Sequence, residues 1–211
     1  MEYKTVCGNA KGGFVEKKSR FIGYIASAKT EDEALSFINK IKKENYNATH
    51  NVSAYILRES GIKRYSDDGE PQGTAGIPVL DVLEKEGIVD AVIVVTRYFG
   101  GILLGAGGLV RAYSKGAKTA IDAGEIVVMQ SCDVYSVEMD YSFYGIALKI
   151  VEKFECKILS SDFAESVELR IMTVSDKSSE LLYEFKEQSS ATVTPIHVES
   201  VFAQMHKVRN S

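Results

Sequence analysis

The sequence predicts an α+β protein of two domains, and three observations carry that prediction. The run DAVIVVT at 90–96 is almost continuously apolar, as a strand buried on both faces requires. TEDE at 30–33 has the spacing of a capping box, in which Thr30 and Glu33 satisfy each other's backbone amides at a helix start. Beyond residue 132 the pattern reads strand, helix, strand, strand, helix, strand. That order over roughly 75 residues is the ferredoxin-like βαββαβ arrangement. With 211 residues, 45% of them apolar, the chain can bury a core without staples.

Taken in order, RFIGYIAS (20–27) alternates as a strand, and the capped helix after it carries Ala34, Phe37, Ile38 and Ile41 on one face. Val52, Ala54 and Ile56 mark a second strand. Residues 58–76 are polar and without period, and read as a long loop of the functional or mobile kind. A short helix follows over 77–86, then the strand 90–96 and a helix over 108–123. At about 100° per residue, that helix gathers Arg111, Lys115, Lys118 and Asp122 into one stripe, with Leu109, Tyr113, Gly116, Ala117 and Ala120 opposite. The pattern changes near 126–132, which places a domain boundary there and divides the chain into 1–129 and 130–211. In the second part CDVYSVEM (132–139) is a strand, and Asp140 caps a helix with Tyr144, Ala147, Leu148 and Val151 inward. Strands at 156–160 and 167–171, a helix over 176–187 and a strand over 191–199 complete it, Pro195 marking the last as an edge.

Composition narrows the class. No run approaches the roughly 18 apolar residues of a membrane span. The start of the chain has no apolar signal segment, and Cys7, Cys132 and Cys156 are odd in number and far apart. Free thiols in a reducing cytoplasm are therefore expected. The net charge of −4 is uneven: residues 1–129 hold 17 Lys+Arg against 16 Asp+Glu, and residues 130–211 hold 8 against 13. A face for polyanions belongs in the first part.

Five glycines lie between Arg97 and Gly108. Gly100 and Gly105 have the Walker spacing, but Ala106-Gly107 stands where Lys-Ser/Thr is needed, and Val110 replaces the third glycine of a dinucleotide fingerprint. The amides of Gly107 and Gly108 open a helix, where an anion is favoured, with Arg97, Arg111, Lys115 and Lys118 around them. A tight turn beside a solvated basic face explains the same residues. Asp67, Asp68 and Glu70 could hold a cation, serve as an acid–base pair, or only build turns. With His50, Tyr98, Gly100 and Gly101 they form a candidate cleft. His197 and His206 are isolated. No catalytic constellation, metal site or cofactor motif stands out.

The strings YSDDGEPQGTAGIPVLDVL and DAVIVVTRYFGGILLGAGGLVRAYSKGA, with KKSRFIGYIA and ATHNVSAYIL before them, closely resemble the signature of the YigZ/IMPACT family over residues 17–121. Leu103 stands where many relatives carry a lysine, which removes one expected positive charge. The resemblance implies a first domain like domain 2 of ribosomal protein S5 and a ferredoxin-like second domain similar to one in elongation factor G. Eukaryotic relatives regulate translation through an extra N-terminal domain, which this chain is expected to lack. Some relatives carry a proline-dipeptidase label, which nothing in the sequence supports. The expected function is a cytoplasmic, non-catalytic binding protein with RNA, the ribosome or a translation factor as partner and no membrane attachment. The alternatives are an enzyme on a small phosphorylated or acidic substrate and a protein-interaction regulator without a ligand.

Overall fold

The structure is a computed structural model that describes residues 1–205. The chain is an α+β protein that forms two compact units, one spanning Tyr3–Val128 and the other running from Met129 onward together with Met1–Glu2. The first unit contains β1 (Glu2–Cys7), β2 (Asn9–Glu16), β3 (Ser19–Ser27), α1 (Glu31–Glu44), β4 (His50–Ile56), β5 (Lys63–Ser66), α2 (Gly76–Glu86), β6 (Ala91–Tyr98) and α3 (Ala106–Ala123). Five of its strands make an antiparallel sheet in the order β2-β3-β6-β4-β5.

Central strand β6 explains the apolar run. Ile93 and Val95 pack with Val79 and Leu83 of α2 and Tyr113 and Ala117 of α3 on one face. Val92 and Val94 pack with Ala34, Ile38 and Ile41 of α1 on the other. The capping box forms as spaced: the Glu33 amide donates to Thr30 Oγ1 at 3.2 Å, and the Glu33 carboxylate accepts from the Thr30 amide at 3.3 Å.

Helix α3 sits on the sheet through two glycines. A Cβ on Gly23 would stand 2.1 Å from the Gly116 carbonyl oxygen, and one on Gly116 would stand 2.7 Å from Val95 Cγ1. Backbone meets backbone here, so the contact excludes any side chain.

Three strands escape the sequence pattern. β1 and β2 were not expected, and β5 lies inside the segment 58–76 read as a loop. β2 (NAKGGFVE) and β5 (KRYS) are the two edges of the sheet; β5 is exposed throughout, and β2 turns only Ala10 and Phe14 against the core. Neither shows apolar alternation, and their lysines suit an edge that must not pair further.

The second unit follows the chain as β7 (Glu125–Met139), α4 (Tyr141–Lys153), β8 (Lys157–Phe163), β9 (Val167–Val174), a 3-10 turn at Ser175–Lys177, α5 (Ser178–Gln188) and β10 (Ile196–Ala203). Its antiparallel strands run in the order β10-β7-β9-β8. Val137, Val167, Leu169 and Ile171 form the core with Ala147 and Ile150 of α4 and Leu181 and Phe185 of α5. The pattern change at 126–132 falls inside β7, a continuous strand rather than a linker. Asp140 sits at the N-cap position of α4, but its side chain makes no capping bond. The last strand begins at Ile196 rather than 191, so Pro195 precedes it. His206 lies outside the described residues.

Gly116→Ala is expected to cost about 1–3 kcal/mol through overpacking. Gly23→Ala should cost more, because the atom it meets is backbone and cannot rotate away. Urea midpoints of the two variants check the order; a neutral Gly23→Ala would refute this account of the contact.

Candidate functional site

The turn SDDGE (66–70) places its three carboxylates in three different surroundings. Asp67 accepts from the amides of Gly73, Ala75 and Gly76 at 2.9, 3.1 and 2.7 Å, and so caps the start of α2. Asp68, at φ 46°, accepts from the Asn51 amide at 2.6 Å and pairs with Lys42 Nζ at 2.7 Å. Neither carboxylate is available to a cation, and no cluster of His, Cys, Asp and Glu among the described residues is arranged to hold a metal.

Glu70 turns inward. Its Oε1 accepts from Arg97 Nη1 at 2.6 Å and from the Tyr113 hydroxyl at 2.7 Å. Burial and the Glu70 hydrogen bond raise the Tyr113 pKa far above its ordinary value, so the phenol stays a neutral donor. Arg97 itself is 5% exposed, with its guanidinium between the rings of Phe21 and Phe99 at 5.6 and 5.4 Å. Its Nε is buried without a hydrogen-bond partner. His50 stands opposite Arg97 in the β4–β6 register. Its Nδ1 lies 2.8 Å from the Asp68 carbonyl and its Nε2 3.8 Å from Glu70 Oε1. A carbonyl only accepts, so Nδ1 is the donor in this contact.

This cluster floors a cavity of about 380 Å³ whose walls are Pro71, Phe99, Leu103, Leu104, Ala106 and Leu109. A second cavity of about 200 Å³ opens beyond Leu104, lined by Lys17, Gly108, Arg111 and Lys115, with Phe14 and Glu16. The N-terminus of α3 lies between the two, Gly105 and Ala106 lining one and Gly108 the other. Gly105 gives α3 no side-chain cap. A Cβ on Gly107 would meet nothing within 4 Å, and one on Gly108 only the Leu104 side chain.

The structure therefore brings His50, Glu70 and Arg97 together and leaves the other candidates of the cleft elsewhere. Alternation along β6 sends Tyr98 to the opposite face, where its hydroxyl donates to Asn45 at 2.9 Å. Gly100 packs on the β2–β3 turn, its Cβ position 2.1 Å from the Lys18 carbonyl carbon. Gly101 serves backbone conformation at φ 82°. Arg97 is no exposed phosphate ligand, because Glu70 holds it inside. Lys118 is also occupied, by Glu86 and Asp122 at 2.9 Å each, and its hydrogen bonds to Asp122 and Glu86 raise its pKa. Arg111 and Lys115 remain exposed. In the sequence Tyr113 belongs to the packing face of its helix, and Thr49, Phe99 and Leu104 carry no signal of a site. Tyr113 was findable, since a tyrosine on a buried face must find a partner for its hydroxyl.

The first unit is thus a sheet-and-helix body with a charged, buried floor under one cavity and free cations beside the other. Residues 17–121 match the model of the Impact N-terminal domain. YvyE of Bacillus subtilis is 42% identical over 167 residues, 79% of this chain and 77% of that one. YigZ of Escherichia coli is 32% identical over 186 residues, 87% of this chain and 91% of that one. A crystal structure described as that of a hypothetical protein superposes with a TM-score of 0.60 at 29% identity, covering 94% of this chain and 98% of the other. The chain belongs to the IMPACT family.

Removing one member of a buried ion pair strands the other charge, at a cost of about 3–5 kcal/mol. Arg97→Met should show that loss in a urea titration, and Glu70→Gln added to it should recover much of the difference. Tyr113 has a second signature. A group whose folded pKa is raised contributes stability that is complete below its unfolded value, about 10, and is lost as pH rises through the folded one. Wild type should lose stability above pH 10, and Tyr113→Phe should lose less over the same interval. Parallel alkaline curves would remove Tyr113 from this role.

Proposed function

We propose that this protein is a non-catalytic binding protein of the cytoplasm whose first unit holds the phosphate backbone of RNA, free or within the ribosome, and so acts in translation. One observation carries the proposal: Lys17, Arg111 and Lys115 are exposed and line the second cavity at the start of α3, Lys18 follows Lys17 in the exposed turn, and none of the four forms an ion pair among the described residues. Lys115 Nζ lies 4.4 Å from the centre of the Phe14 ring, which holds its charge at the sheet surface.

The turn between β2 and β3 supports the same conclusion. Glu16 pairs with Ser19, so the loop is two residues, Lys17 and Lys18, at φ 45° and 65°. That geometry ordinarily selects Asn-Gly. Two lysines accept the left-handed strain of about 1–2 kcal/mol each, and such strain is found where function over-determines the backbone. In the second unit, the strand order β10-β7-β9-β8 supports the ferredoxin-like assignment. The S5 domain 2-like assignment of the first unit rests on the family resemblance. A translation factor is the protein partner those two assignments suggest.

A catalytic role on a small phosphorylated or acidic substrate draws on one observation, the convergence of His50, Glu70 and Arg97 at a cavity. The Glu70 oxygen that faces this cluster already accepts from Arg97 and Tyr113, and the Thr49 hydroxyl beside it is engaged by the Phe99 amide rather than by a base. Binding is the better use of such a floor.

Each phosphate neutralised on a single strand contributes about 0.7 to the slope of log affinity against log salt. Arg111→Gln with Lys115→Gln should flatten the slope by about 1.4 on a short single-stranded RNA. Lys118→Gln, already paired, should leave it unchanged. Lys17→Asn with Lys18→Gly should stabilise the fold by about 1–2 kcal/mol and still weaken binding. Equal slopes for wild type and the Arg111/Lys115 variant would end the proposal.

A further inference from the structure

We infer that the larger cavity takes an unpaired nucleobase, so that the first unit binds single-stranded nucleic acid with a base inserted beside its phosphate contacts. The inference rests on the proposed phosphate face and extends it to the neighbouring cavity. Leu104 lines both cavities, and α3 begins between them, so one nucleotide can place its phosphate against Gly108, Arg111 and Lys115 and its base on the other side of Leu104.

The chemistry of the larger cavity matches a base better than an aliphatic acid. Its floor offers both hydrogen-bonding senses. The Glu70 carboxylate accepts. Arg97, nine-tenths buried, lines the cavity with its Nε unpartnered. Thr49 Oγ1 accepts from the Phe99 amide at 3.1 Å, which leaves its own hydrogen to give. A base edge carries donors and acceptors side by side and is read in this way once the base is unstacked. A fatty acid would leave the acceptors unmet. The walls are apolar, and Phe99, 44% exposed, with Leu103, 82% exposed, stands at the rim. An exposed ring at a cavity mouth is a stacking surface for any base. The volume, about 380 Å³, is within the range of small-ligand sites.

The test compares a 12-nucleotide RNA with an abasic strand of equal phosphate number, by fluorescence anisotropy on the full chain. The RNA should bind at least tenfold more tightly. Phe99→Ala should abolish that difference and leave the salt slope of both strands unchanged. Ala106→Phe, an exposed position that fills the cavity without removing any contact, should do the same. Equal affinity of the two strands for wild type, with a salt slope that Arg111→Gln still flattens, would overturn base insertion and keep the phosphate face. Failure of both strands to bind would overturn both.

Discussion

One buried carboxylate governs the first unit. Glu70 is 8% exposed, and a charge in that setting is tolerated only when it is paired and hydrogen-bonded. Arg97 from β6 and Tyr113 from α3 meet that requirement at the same oxygen. The turn that delivers Glu70 is itself fixed, by Asp67 on the α2 amides and by Asp68 on β4 and on Lys42 of α1. Three helices and two strands thus share one polar junction. Losing it would release the guanidinium from its place between Phe21 and Phe99, and with it the floor of the larger cavity.

The glycines near residue 100 serve different needs, and the distinction explains why no nucleotide motif matches them. Gly100 lets the chain after β6 pass against the Lys18–Ser19 backbone. Gly116, with Gly23, seats α3 on the sheet. A Cβ on Gly107 would meet nothing within 4 Å, so packing gives no reason for a glycine there. What these contacts achieve together is positional: α3 starts where two cavities meet the exposed cations Lys17, Arg111 and Lys115. A Walker loop wraps one phosphate group with backbone amides and a lysine; here the amides stand between two openings.

Much of this architecture was legible in the sequence wherever the signal was local or periodic. Thr30 and Glu33 announced α1, the apolar run announced β6, and the packing face of α3 emerged from residue angles alone, Leu109, Tyr113, Gly116, Ala117 and Ala120 all being buried. Edge strands were not legible, because β5 is exposed throughout and β2 separates its two inward apolar residues, Ala10 and Phe14, with glycine. The site was half legible. His50, Glu70 and Arg97 were singled out by residue type, but which carboxylate would turn inward depends on a positive φ at Asp68 and Gly69, which residue order does not reveal. Lys118 divides the same way: its i,i+4 pair with Asp122 follows from helical angle, whereas its pair with Glu86 depends on where α2 lies.

The cationic face exists on a chain whose net charge is −4, and that combination constrains how it can work. Beyond one Debye length, about 8 Å at physiological ionic strength, surface charges are largely screened from each other. A ligand phosphate seated at Gly108 therefore senses Lys17, Arg111 and Lys115 far more than the molecule's overall charge. Four cations can neutralise only a few phosphates, too few for strong binding by charge alone. A protein so built gains little from long-range attraction and must draw its remaining affinity from close contacts. The apolar walls beside those cations, and the paired charges at their base, are the features of this unit that can supply them.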